Sequence, residues 1–369
     1  MHRLSTFSSR SKLGSILAVA LMALLVAACG SDATPSGSTS SADSGGPATE
    51  TTNDAQPATA SLEPVTLGYI PIAIDGPFFI AQEKGYFVEE GLEVTFERLE
   101  GGADMLIQTA AGNFDVGAGG AGAALFNAIH QGLGVQIVAP LHAERPPMTT
   151  PLVVRKAAYD SGEIDEVRDL KGRTVAINAF GASTEYWLHG ALESGGLTYD
   201  DVKVVAIPFS DIPAALEQGS IDAAMLGEPL ATFAEQQGIA VRLADDFFDG
   251  AQATVVYFNE RFATERADVA QRFMNAYLRA SRDLYENYDD PENLAILAEY
   301  TGLDTEVLAA MAAPVHTVDG VVNVDNLMRQ QEFFMARGQL EYDELIDVST
   351  IVNPEFARKA VEALARRTR

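Results

Sequence analysis

Gly117-Ala-Gly-Gly-Ala-Gly122 fits the pattern G-x-G-x-x-G, in which glycines let a turn approach a dinucleotide's phosphates at a helix N-terminus. That chemistry also requires the first strand–helix unit of the chain and an acid about 20 residues further on. Here the motif follows the third expected strand, and Val138-Ala-Pro-Leu141 supplies no acid. The run is read instead as a glycine-rich floor, with Gly119, Gly120 and Ala121 bringing backbone N–H groups close to a small ligand. No cofactor is expected. Three more stretches combine turn residues with side chains able to touch a solute. In Pro71–Phe78, Asp75, Gly76 and Pro77 make a tight turn ahead of a helix, and the Phe78 ring offers a face to a flat substrate, while Phe79 reads as core. Asn178–Thr184 opens a helix carrying Tyr186 and Trp187. Ser183 and Thr184 suit capping that helix, lining a ligand cleft, or both, and Trp187 suits a core role and a stacking role equally. Leu226-Gly-Glu-Pro229 presents Glu228 either to a ligand amine or to the helix that follows, and Phe209 with Asp211 completes the wall.

Asp75, Glu185, Asp211 and Glu228 all lie in or beside these turns, and the nearby cation is Arg145. A strongly anionic ligand would call for an arginine fork, so the expected ligand is neutral, aminated or zwitterionic. Catalysis is not expected, and no catalytic or metal-binding residue is assigned. His130, His142, His189 and His316 have no H-E-x-x-H spacing, and neither G-x-S-x-G nor a Walker motif occurs. A single cysteine, Cys29, rules out an internal disulfide, CxxC chemistry and cysteine-ligated clusters. A net charge of −27 argues against nucleic acid as a partner.

These turns need elements to hold them. A basic start (Arg3, Arg10, Lys12) and an apolar run from Ile16 to Ala28 read as a signal peptide over 1–28. Val26-Ala-Ala-Cys29 is similar to the bacterial lipobox, so Cys29 is the expected lipidation site and 29–62, poor in apolar residues, a disordered tether. The expected address is the extracytoplasmic face of the cell membrane, held by a lipid anchor alone. Beyond Glu63, strand and helix patterns alternate as βαβ units on a parallel sheet. The series breaks near Met148 and again near Thr254, and the chain becomes almost wholly helical from Arg261. That order predicts an α/β fold with lobe one from 63–148 plus 255–369, lobe two from 149–254, and C-terminal helices packing back on lobe one.

The residues also carry a family resemblance. Gly68-Tyr69, Gly76-Pro-Phe78, Ala81-x-x-Lys-Gly-Tyr-Phe87 and Gly91-Leu-Glu-Val94 come first. Gly112-x-x-Asp-Val116, Leu170-Lys-Gly-Arg-Thr-Val-Ala176, and Ala215-Leu-x-x-Gly-x-Ile-Asp-Ala223 with Glu228-Pro229 follow in order. Together they resemble the nitrate/sulfonate/taurine and thiamine-precursor group of ABC-transporter solute-binding proteins over roughly Leu62 to Leu284. The resemblance implies a periplasmic-binding-protein fold of type II, two lobes with a ligand cleft between them. It also implies a monomer that hands a small organic molecule, sulfonate/taurine-like or thiamine-pyrimidine-like, to an ABC permease with its ATPase. The alternatives are an enzyme on the same fold, acting on a small heteroaromatic or carboxylate metabolite, and a surface receptor without transport.

Overall fold

Short apolar runs set the scaffold of the computed structural model, which describes residues 61–99 and 102–367. The first sheet has the order β2-β1-β3-β10-β4, built from β1 (Glu63–Tyr69), β2 (Leu92–Arg98), β3 (Val116–Gly120), β4 (Val135–Glu144) and β10 (Ala251–Asn259). The second has the order β7-β6-β8-β5-β9, from β5 (Leu152–Arg155), β6 (Thr174–Ile177), β7 (Lys203–Ala206), β8 (Ala223–Met225) and β9 (Ala240–Ala244). Each sheet therefore has the same plan: a parallel trio, a crossing strand, then an edge strand.

The sheets are mixed rather than parallel. β1 runs parallel to β2 and β3, but β10 is antiparallel to both β3 and β4. Likewise β6 is parallel to β7 and β8, and β5 is antiparallel to β8 and β9. The crossing strands are the ones that arrive from the other sheet, and so they enter against the direction of the parallel trio. β10 begins at Ala251, and the first sheet therefore takes up the chain four residues before 255.

Helix positions follow the apolar spacing. The long helix Ala267–Asn287 buries Val269, Ala270, Phe273, Met274, Tyr277, Leu278 and Leu284, one face at helical spacing. Phe273 meets Phe78, Phe87 and Phe258, so this helix seals the outer face of the first sheet. The helical stretch after β1 is interrupted, because Gly85 takes a left-handed turn (φ 73°) between Gly76–Glu83 and Tyr86–Glu89. The later helix Val324–Ala336 does not pack on the first lobe alone. Its Phe334 lies against Phe126 of the helix Ala123–His130, while Phe333 lies against Tyr186 and His189 of the helix Ser183–Ser194. Leu327 and Phe334 join one apolar cluster that runs from Phe126 and Ile137 to Leu188 and Trp187. Among the described residues no helix is long and apolar enough to cross a membrane.

Candidate functional site

Parallel strands end with their carbonyl ends toward the loops that follow them, where ligands of open α/β sheets bind. In this chain those loops follow β1, β2, β3, β6, β7 and β8. The loop after β1 is folded back on itself by Asp75, whose Oδ2 accepts the Ile70 N–H at 2.8 Å. Asp75 is only 4% exposed. Burial pushes its carboxyl up to about 7, against the opposing pull of the Ile70 hydrogen bond. A β-carbon at Gly76 would stand 2.8 Å from Leu297 and 2.9 Å from Leu284, so both leucine ends would have to shift. Pro77 follows in the first turn of the helix and is buried. Phe78 does not offer a face to a solute. It has no exposed surface and packs on Tyr277 at 5.5 Å, because the helix turns it toward Ala267–Asn287 rather than the loop. Phe79 is core too, stacked 4.3 Å from Tyr300.

The glycine run, which the sequence reading set after the strand, forms most of β3 itself and its C-terminal end, and it admits the other lobe. A β-carbon at Gly122 would stand 2.5 Å from the Gly181 carbonyl oxygen, and one at Gly120 would stand 3.3 Å from the Ser183 hydroxyl. The Ala123 N–H donates to Gly181 O at 2.8 Å, which ties the two loops together. Ala121 is a correction to the sequence reading. It is fully buried and its N–H is held by Ala253 O at 3.0 Å, since β10 runs alongside, so it has nothing to give a ligand. Gly119 lies over the Tyr257 hydroxyl, 3.3 Å from where its β-carbon would be. That hydroxyl is buried and has no hydrogen-bond partner. Burial and the nearby Asp75 both push the phenol pKa upward.

After β6, Thr184 is buried and its hydroxyl donates to Asn178 Oδ1. Neither Ser183 nor Thr184 caps the helix, whose N-cap is Ala182. Glu185 does the equivalent work from inside: its carboxylate accepts from Gly181 N–H (2.6 Å), Tyr199 hydroxyl (2.8 Å) and Gln339 Nε2 (2.8 Å). Tyr186 is not a cleft residue. It is 7% exposed and stacked 5.4 Å from Phe248, because its helix presents that face to the core. Trp187 is core as well, 1% exposed with its edge on Phe248.

Phe209 is half-buried after β7, with its ring 3.7 Å from where a β-carbon of Gly227 would lie. Glu228 is engaged within the protein rather than free for a ligand amine. It pairs with Arg242 and accepts from Thr232 N–H at 3.1 Å and Ala312 N–H at 3.2 Å. Its partner Arg242 lies on β9, a strand the sequence reading did not pick out. Arg145 is half-exposed and 3.5 Å from Asp249. Of the sequence-assigned residues, the structure brings Gly119, Gly120 and Ser183 together, with Asp75 near Tyr257. It removes Phe78, Ala121 and Tyr186, and it engages Glu228 elsewhere. Cys29 lies outside the described residues. No group of three or more His, Cys, Asp or Glu among the described residues could hold a metal ion.

A family model described as NMT1/THI5 like matches residues 75–291. The chain belongs to the NMT1/THI5-like family. This NMT1/THI5-like chain is 29% identical to the riboflavin-binding protein RibY of Chloroflexus aurantiacus, over 75% of each chain. It is 26% identical to the taurine-binding periplasmic protein of Escherichia coli K12, over 62% of this chain and 70% of that one. Its fold matches the periplasmic aliphatic sulphonate binding protein SsuA of Escherichia coli with a TM-score of 0.66 at 20% identity, covering 79% and 97%. The desulfurization enzyme DszB shares the fold at a TM-score of 0.59 and 18% identity, covering 82% of this chain and 99% of that one.

Proposed function

We propose that this protein is the extracytoplasmic solute-binding component of an ABC importer, a lipid-anchored monomer that captures a small organic molecule and delivers it to a permease. Its two lobes, built on the two sheets from 63–148 with 251–369 and from 149–250, close over the solute. The observation that carries this reading is the meeting of the loops after β3 and β6, joined by Ala123 N–H to Gly181 O, in a chain of this family. Relatives named for riboflavin and taurine binding support it. The lipobox ending at Cys29 supports the anchor. Gly119, Gly120 and Ser183 line the cleft, with Asp75 beside them.

The test has two parts. Purified protein is screened by thermal shift against riboflavin, aminopyrimidines, taurine, alkyl sulfonates and nitrate. A true ligand at 100 times its Kd adds about 2.7 kcal/mol to stability by linkage. A strain lacking the gene is then assayed for uptake of the hit. Loss of uptake supports the reading. Conversion of the hit to product by the purified protein would overturn it in favour of an enzyme, and unchanged uptake would leave a receptor without transport. Cys29→Ser is expected to move the protein from the membrane fraction to the soluble one.

A further inference from the structure

We propose that residues 333–342, the end of the helix Val324–Ala336 and the turn after it, act as a clasp that stays with lobe one and lets go of lobe two when the lobes part. The clasp rests on the receptor reading above only in needing lobes that move, and it adds a restraint outside the cleft loops.

The helix begins beside the pivot. Gln252 stands near the start of β10, where the chain returns from the second sheet. Its N–H donates to Asn326 Oδ1 at 3.0 Å, and its carbonyl accepts from Gln330 Nε2 at 2.9 Å. At 1.5 Å per residue, Phe333 is about 10 Å along the axis from Asn326, and the turn lies further still. Contacts that far from the pivot must break for any opening, while those at Gln252 hardly move.

The grip on lobe one is deep. Phe334 is fully buried against Phe126. Asn127, on the helix Ala123–His130, brackets the turn: its Nδ2 donates to Gln339 O at 3.2 Å, and its Oδ1 accepts from Glu341 N–H at 2.8 Å. The turn is also tied to its own helix. Gln331, with no exposed surface, accepts from Ile346 N–H at 2.7 Å and donates to Ile346 O at 2.9 Å. A segment held in this way meets lobe two with its shape already set.

The grip on lobe two is shallower. The Arg337 guanidinium lies over the Tyr199 ring, 4.1 Å from its centre, and reaches Asp200 at 3.4 Å, but the Asp200 side chain is 88% exposed. Phe333 stacks on His189, and both are half-buried. Contacts that water already reaches are exchanged for hydration at small cost. One contact is different, and it joins the clasp to the cleft. Glu185 Oε2 accepts from Gln339 Nε2 at 2.8 Å and from Gly181 N–H at 2.6 Å, and Gly181 O accepts from Ala123 N–H across the lobes. Glu185 is fully buried, so release of Gln339 leaves a carboxylate short of a donor. The cost of opening is concentrated there, in the residue that fixes the loop facing lobe one.

The test places spin labels on the full chain with Cys29→Ser, Val88→Cys and Glu217→Cys, the last two being exposed positions, one on each lobe. No solute is added. The parent is expected to give one narrow distance, and the Arg337→Ala/Gln339→Ala variant a broader distribution with a second distance. Amide exchange reads the same event. Ala123 N–H is expected to exchange about tenfold faster or more in the variant. Asp222 N–H and Glu260 N–H, each bonded within one lobe, are expected to keep the parent's rates. The same narrow distance in parent and variant would overturn the clasp, as would a parent as broad as the variant. Equal speeding of all three amides would overturn it too, since the segment would then serve overall stability rather than the seam between lobes. The uptake assay decides the receptor reading whichever of these is found.

Discussion

Phe333 and Phe334 are adjacent in the chain and pack on different lobes. Phe333 stacks 5.0 Å from His189 and meets Tyr199 at 6.2 Å, on the second sheet's side. Phe334, fully buried, meets Phe126 at 6.3 Å, on the first sheet's side. Phe334→Ala should cost about 3–5 kcal/mol, the usual range for a buried phenylalanine. Phe333→Ala, half-buried, should cost less. Urea denaturation of the two variants checks both values.

Glu228 and Arg242 form a pair whose side chains are 3% and 18% exposed. Removing Arg242 strands a carboxylate that has little access to water, and removing Glu228 leaves Arg242 with Glu235 alone. Glu228→Ala and Arg242→Ala should each cost roughly 2–3 kcal/mol, between the values for surface and buried pairs. The double variant should cost less than their sum, which a double-mutant cycle measures.

Asp75 and His316 give stability opposing pH slopes. His316 is fully buried. Burial holds its pKa down to about 4, with His142 adding to the effect and the Leu141 carbonyl opposing it. The unfolded chain therefore binds more protons than the folded one between about pH 6.5 and 4, and stability falls as pH falls through that window. The drop from 6.5 to about 4 is worth roughly 3 kcal/mol, at about 1.4 kcal/mol per tenfold change in proton affinity. Asp75, raised from 3.8 to about 7, acts the other way: its contribution is full below pH 3.8 and is lost as pH rises toward 7. The stabilising effect of Asp75→Asn should therefore grow as pH rises from 4 to 7, read as the difference in Tm from the parent. For His316→Gln the same difference should move in the variant's favour as pH falls below 6.5.

Trp187 is the chain's single tryptophan, and it is buried against Phe248. Its emission should be blue-shifted and resistant to iodide quenching in the native protein, and should shift red on unfolding. Ligand binding should leave it nearly unchanged. Gly190→Ala should disturb this fluorescence, because a β-carbon there would collide with the Phe248 ring.

Much of the scaffold was legible because its elements carry their own signals. Leu92–Arg98, Ser183–Ser194 and Ala267–Asn287 are periodic and bounded by turn residues, and the expected strands and helices fall within a few residues of them. β5 and β9 escaped although they are no shorter than the strands that were found; they pair with each other across about 90 residues of chain, and that pairing leaves no local mark. The turns at 71–78, 178–184 and 226–229 were legible as turns, since glycines and prolines mark them. Which way a side chain points within a loop was not legible. Phe78, Tyr186 and Glu228 turn inward because Tyr277, Phe248 and Arg242 receive them, and those partners lie between 14 and 199 residues away in the chain. Tyr257 reads from sequence as one more apolar residue in a buried strand; only the absence of a partner for its hydroxyl distinguishes it.

The insertion of β10 between β3 and β4 also dictates an order of assembly. Residues 116–120 find their partners at 254–258, and β4 has no neighbour in the sheet until β10 arrives. The second sheet is drawn from one unbroken stretch of chain, 152–244, and can complete itself early. The first sheet must wait with two open edges until its last strand emerges, and such edges invite pairing with other molecules. A chain kept extended until all of its strands are available would avoid that interval.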